Sequence, residues 1–131
     1  MEMKGRIIEQ WKRKAANDLK SARVLSESSE SLADNICVLS QQSAEKYLKA
    51  LLIYLGRDFQ RSHSLVYLLG LLGGHLEVPE DMFDIADFLN PFAVDLRYPG
   101  DMEVSPLDAE EALAGAELIK EFVLGIMDYG M

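Results

Sequence analysis

The chain predicts an all-α fold, an up-and-down bundle of three long and two short helices. Three observations carry that expectation. Apolar residues recur three or four apart over long segments, the period of one helix face. No alternating apolar–polar run with hairpin punctuation occurs. Each periodic segment is bounded by recognisable start and stop residues. At 131 residues, 49% hydrophobic and 27% charged, residues 1–131 read as a single domain with an ordinary core.

The elements follow in order. The first helix is predicted from Arg6 to about Leu25, where Ile8, Trp11, Ala15, Leu19, Ala22 and Leu25 form one stripe with Lys, Arg and Asp between them. "SSESLADN" supplies turn residues, and Ser31 with Asp34 resembles a capping box for the second helix. That helix runs to about Leu55 and stops at Gly56. A short third, Ser64–Leu72, ends at the Gly73–Gly74 pair. Pro79 reads as the first-turn proline of a fourth, "EDMFDIADFLN", which stops before Pro91. The fifth has Ser105 as N-cap, Pro106 at its first position and Asp108 and Glu110 in its first turn. Its stripe is Ala109, Ala112, Ala116, Ile119, Val123 and Ile126. The one long irregular connection, Pro91–Ser105, carries Phe92, Val94, Leu96 and Tyr98, which predict a loop packed down on the bundle.

Composition narrows the partners. The longest apolar runs, Tyr47–Leu55 and Leu65–Leu72, fall far short of the roughly 20 residues a membrane span needs. The charged N-terminus lacks the apolar core of a signal peptide. The single cysteine, Cys37, cannot form an internal disulfide and reads as a small core residue. A cytoplasmic protein without a membrane contact is expected. A net charge of −9 repels nucleic acid at long range and excludes broad, non-specific DNA binding. Phosphate contact would need a local basic patch, and of the 13 Lys and Arg only Arg97 and Lys120 lie beyond residue 61.

Several chemistries are absent from the sequence. "GLLGG" lacks the Lys and Ser/Thr of a phosphate-cradling loop. No Glu-x-x-His occurs, which excludes a carboxylate-bridged di-iron bundle. His63 and His75 are the only histidines, and no Cys or His cluster has zinc spacing. Neither a metal nor another cofactor is called for. The series Glu80, Asp81, Asp84 and Asp87 has helical spacing and reads as a solvated face.

The stretch "SQQSAEKYLKALLIYLG", Ser40–Gly56, is unusual. Its second half is apolar on every face, while its first half is rich in hydrogen-bonding side chains. On the helical period Cys37, Ala44, Leu48, Leu51 and Leu55 form one stripe, and Gln41 lies on it. Gln42, Glu45, Lys46 and Lys49 sit on neighbouring faces, with Glu45 and Lys49 an i,i+4 pair in the favourable order. The pattern alone fits a central helix whose polar half is satisfied by surface pairing and one structural amide.

"QQSAEKYLKALLIYLG", then "RSHSLVYLL", then "DLRYPG" resembles the HEPN domain family (higher eukaryotes and prokaryotes nucleotide-binding). Gln42, Glu45, Lys46, Lys49 and Ala50 match its first motif, with Ser43 in place of an alanine. Ser62, His63 and Leu65 match its second, with Ser64 where an acid is common, and Arg97, Tyr98 and Pro99 match its third. Ala15, Asp18, Leu19 and Ala22 resemble the family's usual opening, so the likeness spans nearly the whole chain.

The resemblance implies a helical bundle that forms a homodimer. It also implies association with a minimal nucleotidyltransferase, often in a toxin–antitoxin pair. This chain has no Gly-Ser paired with Asp-x-Asp, so that enzyme would be a separate protein. Two functions follow. In the first, the chain is a non-catalytic nucleotide- or RNA-binding subunit. Arg57, Arg61 and Arg97 then contact phosphate, Gln42 hydrogen-bonds and Tyr98 stacks on a base. Glu45, Lys46 and Lys49, on the same polar face, are further candidate binding residues. In the second, it is a metal-independent ribonuclease. That branch of the family uses an arginine and a histidine four to six residues further on, and "RDFQRSH" places five residues between Arg57 and His63. The branch normally carries this motif near the start of a late helix, where this chain has Arg97 and no later histidine. A purely structural dimeric module is the third alternative. For His63 alone, a capping role in the first turn of the third helix is also open. Arg97 could equally tie the long loop to a bundle carboxylate. Together these expectations predict that the polar half of the second helix faces the Arg57–His63 turn and the Arg97 loop, forming one partly basic cleft.

Overall fold

Five α-helices follow one another in the computed structural model, which describes residues 2–96, 98–100 and 102–128. They are α1 (Glu2–Ser26), α2 (Ala33–Tyr54), α3 (Leu65–Leu72), α4 (Glu80–Leu89) and α5 (Pro106–Asp128), with a 3-10 turn, Asn90–Ala93, between the last two. Three are long and two short, and no strand occurs among the described residues. Helix α2 is the centre. It packs along α1 and α5 and also meets α3, α4 and the 3-10 turn.

Each stripe read from the sequence faces this centre. Ala15, Leu19 and Ala22 of α1 and Ala109, Ala112, Ala116, Ile119 and Val123 of α5 are buried against α2 residues such as Ala44, Leu48 and Leu51. Small residues let α1 approach closely. Ser43 Oγ donates to the Ala15 carbonyl at 2.8 Å, and Lys46 of α2 pairs with Asp18 of α1. Cys37 is fully buried. The acidic series of α4 is exposed throughout.

The ends of the helices depart from expectation at several points. Helix α1 begins at Glu2 rather than Arg6. Gly5 costs a helix interior only about 1 kcal/mol, too little to stop a run of good formers on either side. The capping box at Ser31 does not form: Leu32 is the N-cap of α2, with no side-chain cap. Leu32 and Ala33 are drawn toward the core, which moves the cap one residue on and leaves Asp34 at the second position instead of the third. Pro79 stands just outside α4 as its N-cap. The α5 signals hold. Ser105 Oγ accepts from the Asp108 amide at 3.1 Å, and the Asp108 carboxylate accepts from the Ser105 amide at 2.9 Å.

The connection after α4 is packed only in part. Phe92 is buried, and Leu96, Met102 and Val104 lean on the core. Val94 and Tyr98 do not: they are 53% and 65% exposed. No helix among the described residues is long and apolar enough to cross a membrane.

Candidate functional site

The turn joining α2 to α3 is built residue by residue. Gly56 ends α2 with φ +75°, a left-handed conformation that costs glycine little. Its amide bonds to Ile53 O at 3.0 Å, and the Arg57 amide reaches back to Leu52 O at 2.9 Å. That pair of bonds is a Schellman ending, which fixes the direction in which Arg57 leaves the helix. At the far end Ser64 caps α3, its Oγ accepting from the Tyr67 amide at 3.2 Å. Asn90 accepts from the Leu65 amide at 2.7 Å. Between the two ends, Tyr67 OH accepts from the Gln60 amide and Ser62 Oγ from the Ser64 amide, both at 3.0 Å.

The polar half of α2 anchors the same turn. Gln41 Nε2 donates to the His63 carbonyl at 3.0 Å and to Glu45 Oε1 at 3.3 Å. Glu45 Oε1 and Oε2 lie 3.1 and 3.3 Å from His63 Nδ1. Glu45 Oε2 also accepts from Lys49 Nζ at 2.8 Å. The Lys49 ammonium sits 5.6 Å from the Trp11 ring centroid and 5.9 Å from that of Phe59, so two aromatic faces complete its surroundings. Ser40, Gln41, Ser43, Glu45 and Lys49, the buried polar residues among those described, all belong to α2. Burial of a charge is tolerable here because Glu45 and Lys49 neutralise one another and are hydrogen-bonded. His63 itself is 57% exposed at its side chain. With Nδ1 held by Glu45, Nε2 is the nitrogen left to face a ligand.

The predicted site residues thus fall into groups. Glu45 and Lys49 are buried and spent on each other and on the turn, and Lys46 is spent on Asp18. Arg57, Arg61 and His63 are exposed on the turn, and neither arginine makes an ion pair among the described residues. Gln42 is half-buried with no hydrogen bond from its amide among the described residues. The buried amide is Gln41, which the sequence signalled only by placing an amide on an apolar stripe. His63 precedes the α3 cap rather than entering the first turn of that helix. Arg97 lies outside the described residues. Tyr98 lines a separate depression of about 340 Å³ with Val94, Asp95 and Met102.

Among the described residues, Arg57 lines a depression that His63 does not share. It has a volume of about 390 Å³ and is lined also by Lys4, Asp58 and Phe59. A larger depression, about 670 Å³, lies between the turn after α1 and the first half of α5, and no predicted site residue lines it.

The comparisons with known proteins agree with this architecture. The HEPN domain model matches residues 8–126. The chain belongs to the HEPN family. Its fold is shared with the crystal structure of an archaeal HEPN homologue, at 32% identity and a TM-score of 0.73 over 90% of this chain and 95% of that one. A protein from Thermus thermophilus superposes with a TM-score of 0.77 at 29% identity, covering 90% of this chain and 96% of its own. A HEPN domain protein from Thermotoga maritima gives 0.76 at 27% identity over 91% and 98%. No curated protein matches the chain in sequence. In this HEPN protein Glu45 of the α2 motif ties α2 to the α2–α3 turn, with Lys49 bonded to it, while Lys46 ties α2 to α1.

Proposed function

We propose that this HEPN protein binds the phosphate of a nucleotide or RNA at the α2–α3 turn, as the non-catalytic subunit of a system whose nucleotidyltransferase is a separate protein. The observation that carries the proposal is His63, exposed but tethered through Nδ1 to the buried Glu45, on a turn whose two exposed arginines make no ion pair among the described residues. Arg57 and Arg61 supply charge-assisted hydrogen bonds to phosphate. His63 adds a further donor when protonated. Gln42 and Arg97 complete the proposed contacts, and the exposed Tyr98 offers a stacking face. Because the turn is tied at both ends and in the middle, ligand binding would order few groups. The family's habits add a homodimer and a toxin–antitoxin setting to the proposal. A light-scattering particle of 14.7 kDa at micromolar concentration would count against the dimer.

A second function has one observation behind it. A carboxylate holding an imidazole is the arrangement that orients a general base. In a ribonuclease His63 would activate the ribose hydroxyl and Arg57 would stabilise the phosphate. The separation of His63 from the depression that Arg57 lines favours binding over cleavage. Incubation with RNA in EDTA decides between them. The expected result is salt-sensitive binding, weakened by Arg57→Ala and Arg97→Ala, with the RNA intact. Cleavage without metal that disappears in His63→Ala would overturn the proposal.

A further inference from the structure

We infer that the outward face of α1 is a second contact surface of this protein, for single-stranded RNA. The inference rests on the proposed RNA-binding function and extends it to residues outside the family motifs. Ile8, Ala15, Leu19 and Ala22 turn inward. On the opposite face Arg6, Gln10, Arg13, Asn17 and Lys20 follow one another at steps of four and three, and all five are exposed. That spacing lays them along one line about 21 Å long. No carboxylate interrupts it. Glu9, at its edge, is taken by Lys12 at 3.2 Å.

Among the described residues these cations differ from their neighbours. Lys12, Arg23, Lys46 and Lys49 each hold a carboxylate, whereas Arg6, Arg13, Lys14 and Lys20 make no ion pair among the described residues. The acids are segregated as well. Of the 22 Asp and Glu, 14 lie beyond residue 61, against two of the 13 Lys and Arg. A polyanion is therefore repelled by the later half of the chain and steered toward α1. The α2–α3 turn is approached from the other side of α1: Lys4, one helical turn before the inward-facing Ile8, shares a depression with Arg57. An acidic helix such as α4 of a second copy is a poorer occupant. Its exposed series, Glu80 to Asp87, spans only about 10 Å and could engage half of the line.

The test is an anisotropy titration of a fluorescein-labelled poly-uridylate oligonucleotide at several salt concentrations, with the full chain. Each phosphate contact contributes about 0.7 to the slope of log affinity against log salt on a single strand. The triple variant Arg6→Gln, Arg13→Gln, Lys20→Gln should lower that slope by about 2 while its circular dichroism stays unchanged. A slope unchanged in the triple variant overturns the inference, and if Arg57→Gln with Arg61→Gln still weakens binding, the turn stands alone. Loss confined to the triple variant supports the α1 surface and removes the turn instead. A wild type that does not bind at low salt removes both. A triple variant that changes the light-scattering mass but not the slope makes α1 a protein interface and overturns the inference.

Discussion

Glu45 Oε1 lies 3.1 Å from His63 Nδ1, across 18 residues of chain. The contact joins the central helix to the turn that follows it. The same carboxylate receives Lys49 and Gln41, so one buried anion fixes a buried cation, a buried amide and an exposed imidazole. Its physical importance follows from desolvation. Glu45 and Lys49 are each 7% exposed, so the desolvation of each is offset by its hydrogen bond to the other.

Removing either partner should therefore be costly. Glu45→Gln leaves the Lys49 ammonium buried without an anion, and Lys49→Met leaves the carboxylate with only His63 and Gln41. Each should lose about 3–5 kcal/mol in urea unfolding. The double variant should lose clearly less than the sum, since it buries no orphaned charge. Strict additivity would show that the pair does not act as a unit.

That prediction also marks what the sequence could and could not disclose. The helices, their stripes and the α5 cap were legible because a helix that buries one face must repeat its apolar residues every three or four positions. Glu45 and Lys49 were legible as a pair but not as a buried one. A helix's own periodicity does not say how many neighbours surround it, and α2 is enclosed by α1, α3 and α5. Gln41 was hidden for the same reason, and only its place on an apolar stripe hinted at it. The five-residue spacing between Arg57 and His63 was visible, but the direction in which Arg57 leaves α2 depends on the Schellman ending at Gly56. Ser31 misled because a capping pattern competes with burial of the next two residues.

Two glycine substitutions should have opposite signs. Gly56 adopts φ +75°, so Gly56→Ala should cost about 1–2 kcal/mol although no atom blocks its Cβ. Gly70 lies inside α3, is exposed and has open space at its Cβ. Gly70→Ala should stabilise the protein by about 0.5–1 kcal/mol. Thermal melts of the two variants moving in the same direction would contradict the backbone geometry at one of these sites.

The two serines read as caps should also separate. Ser105→Ala removes a formed capping box and should cost about 1 kcal/mol. Ser31→Ala should change stability by no more than about 0.5 kcal/mol, because Leu32 holds the cap position and Ser31 is exposed. Equal losses in a denaturant series would mean that Ser31 caps α2 after all.

Cys37 makes stability depend on alkaline pH. The thiol is fully enclosed, and burial pushes its pKa from 9.0 to about 12, with the charges of Asp108 and Asp34 adding to the rise. In the unfolded chain it titrates near 9.0. Above that pH the unfolded state releases a proton that the folded state keeps. By linkage the folded state then binds more protons, so stability falls as pH rises. The contribution is whole below pH 9.0 and is lost progressively toward about 12. Tyr47, raised above 10.0 by its own burial, acts in the same direction at higher pH. Urea midpoints should therefore be flat just below pH 9.0 and decline above it. Cys37→Ala should decline less steeply than the wild type. The buried thiol should also resist a thiol-reactive chromophore until denaturant is added, because the thiolate is the nucleophile. Rapid labelling of the native protein at neutral pH would show that Cys37 is neither enclosed nor held protonated.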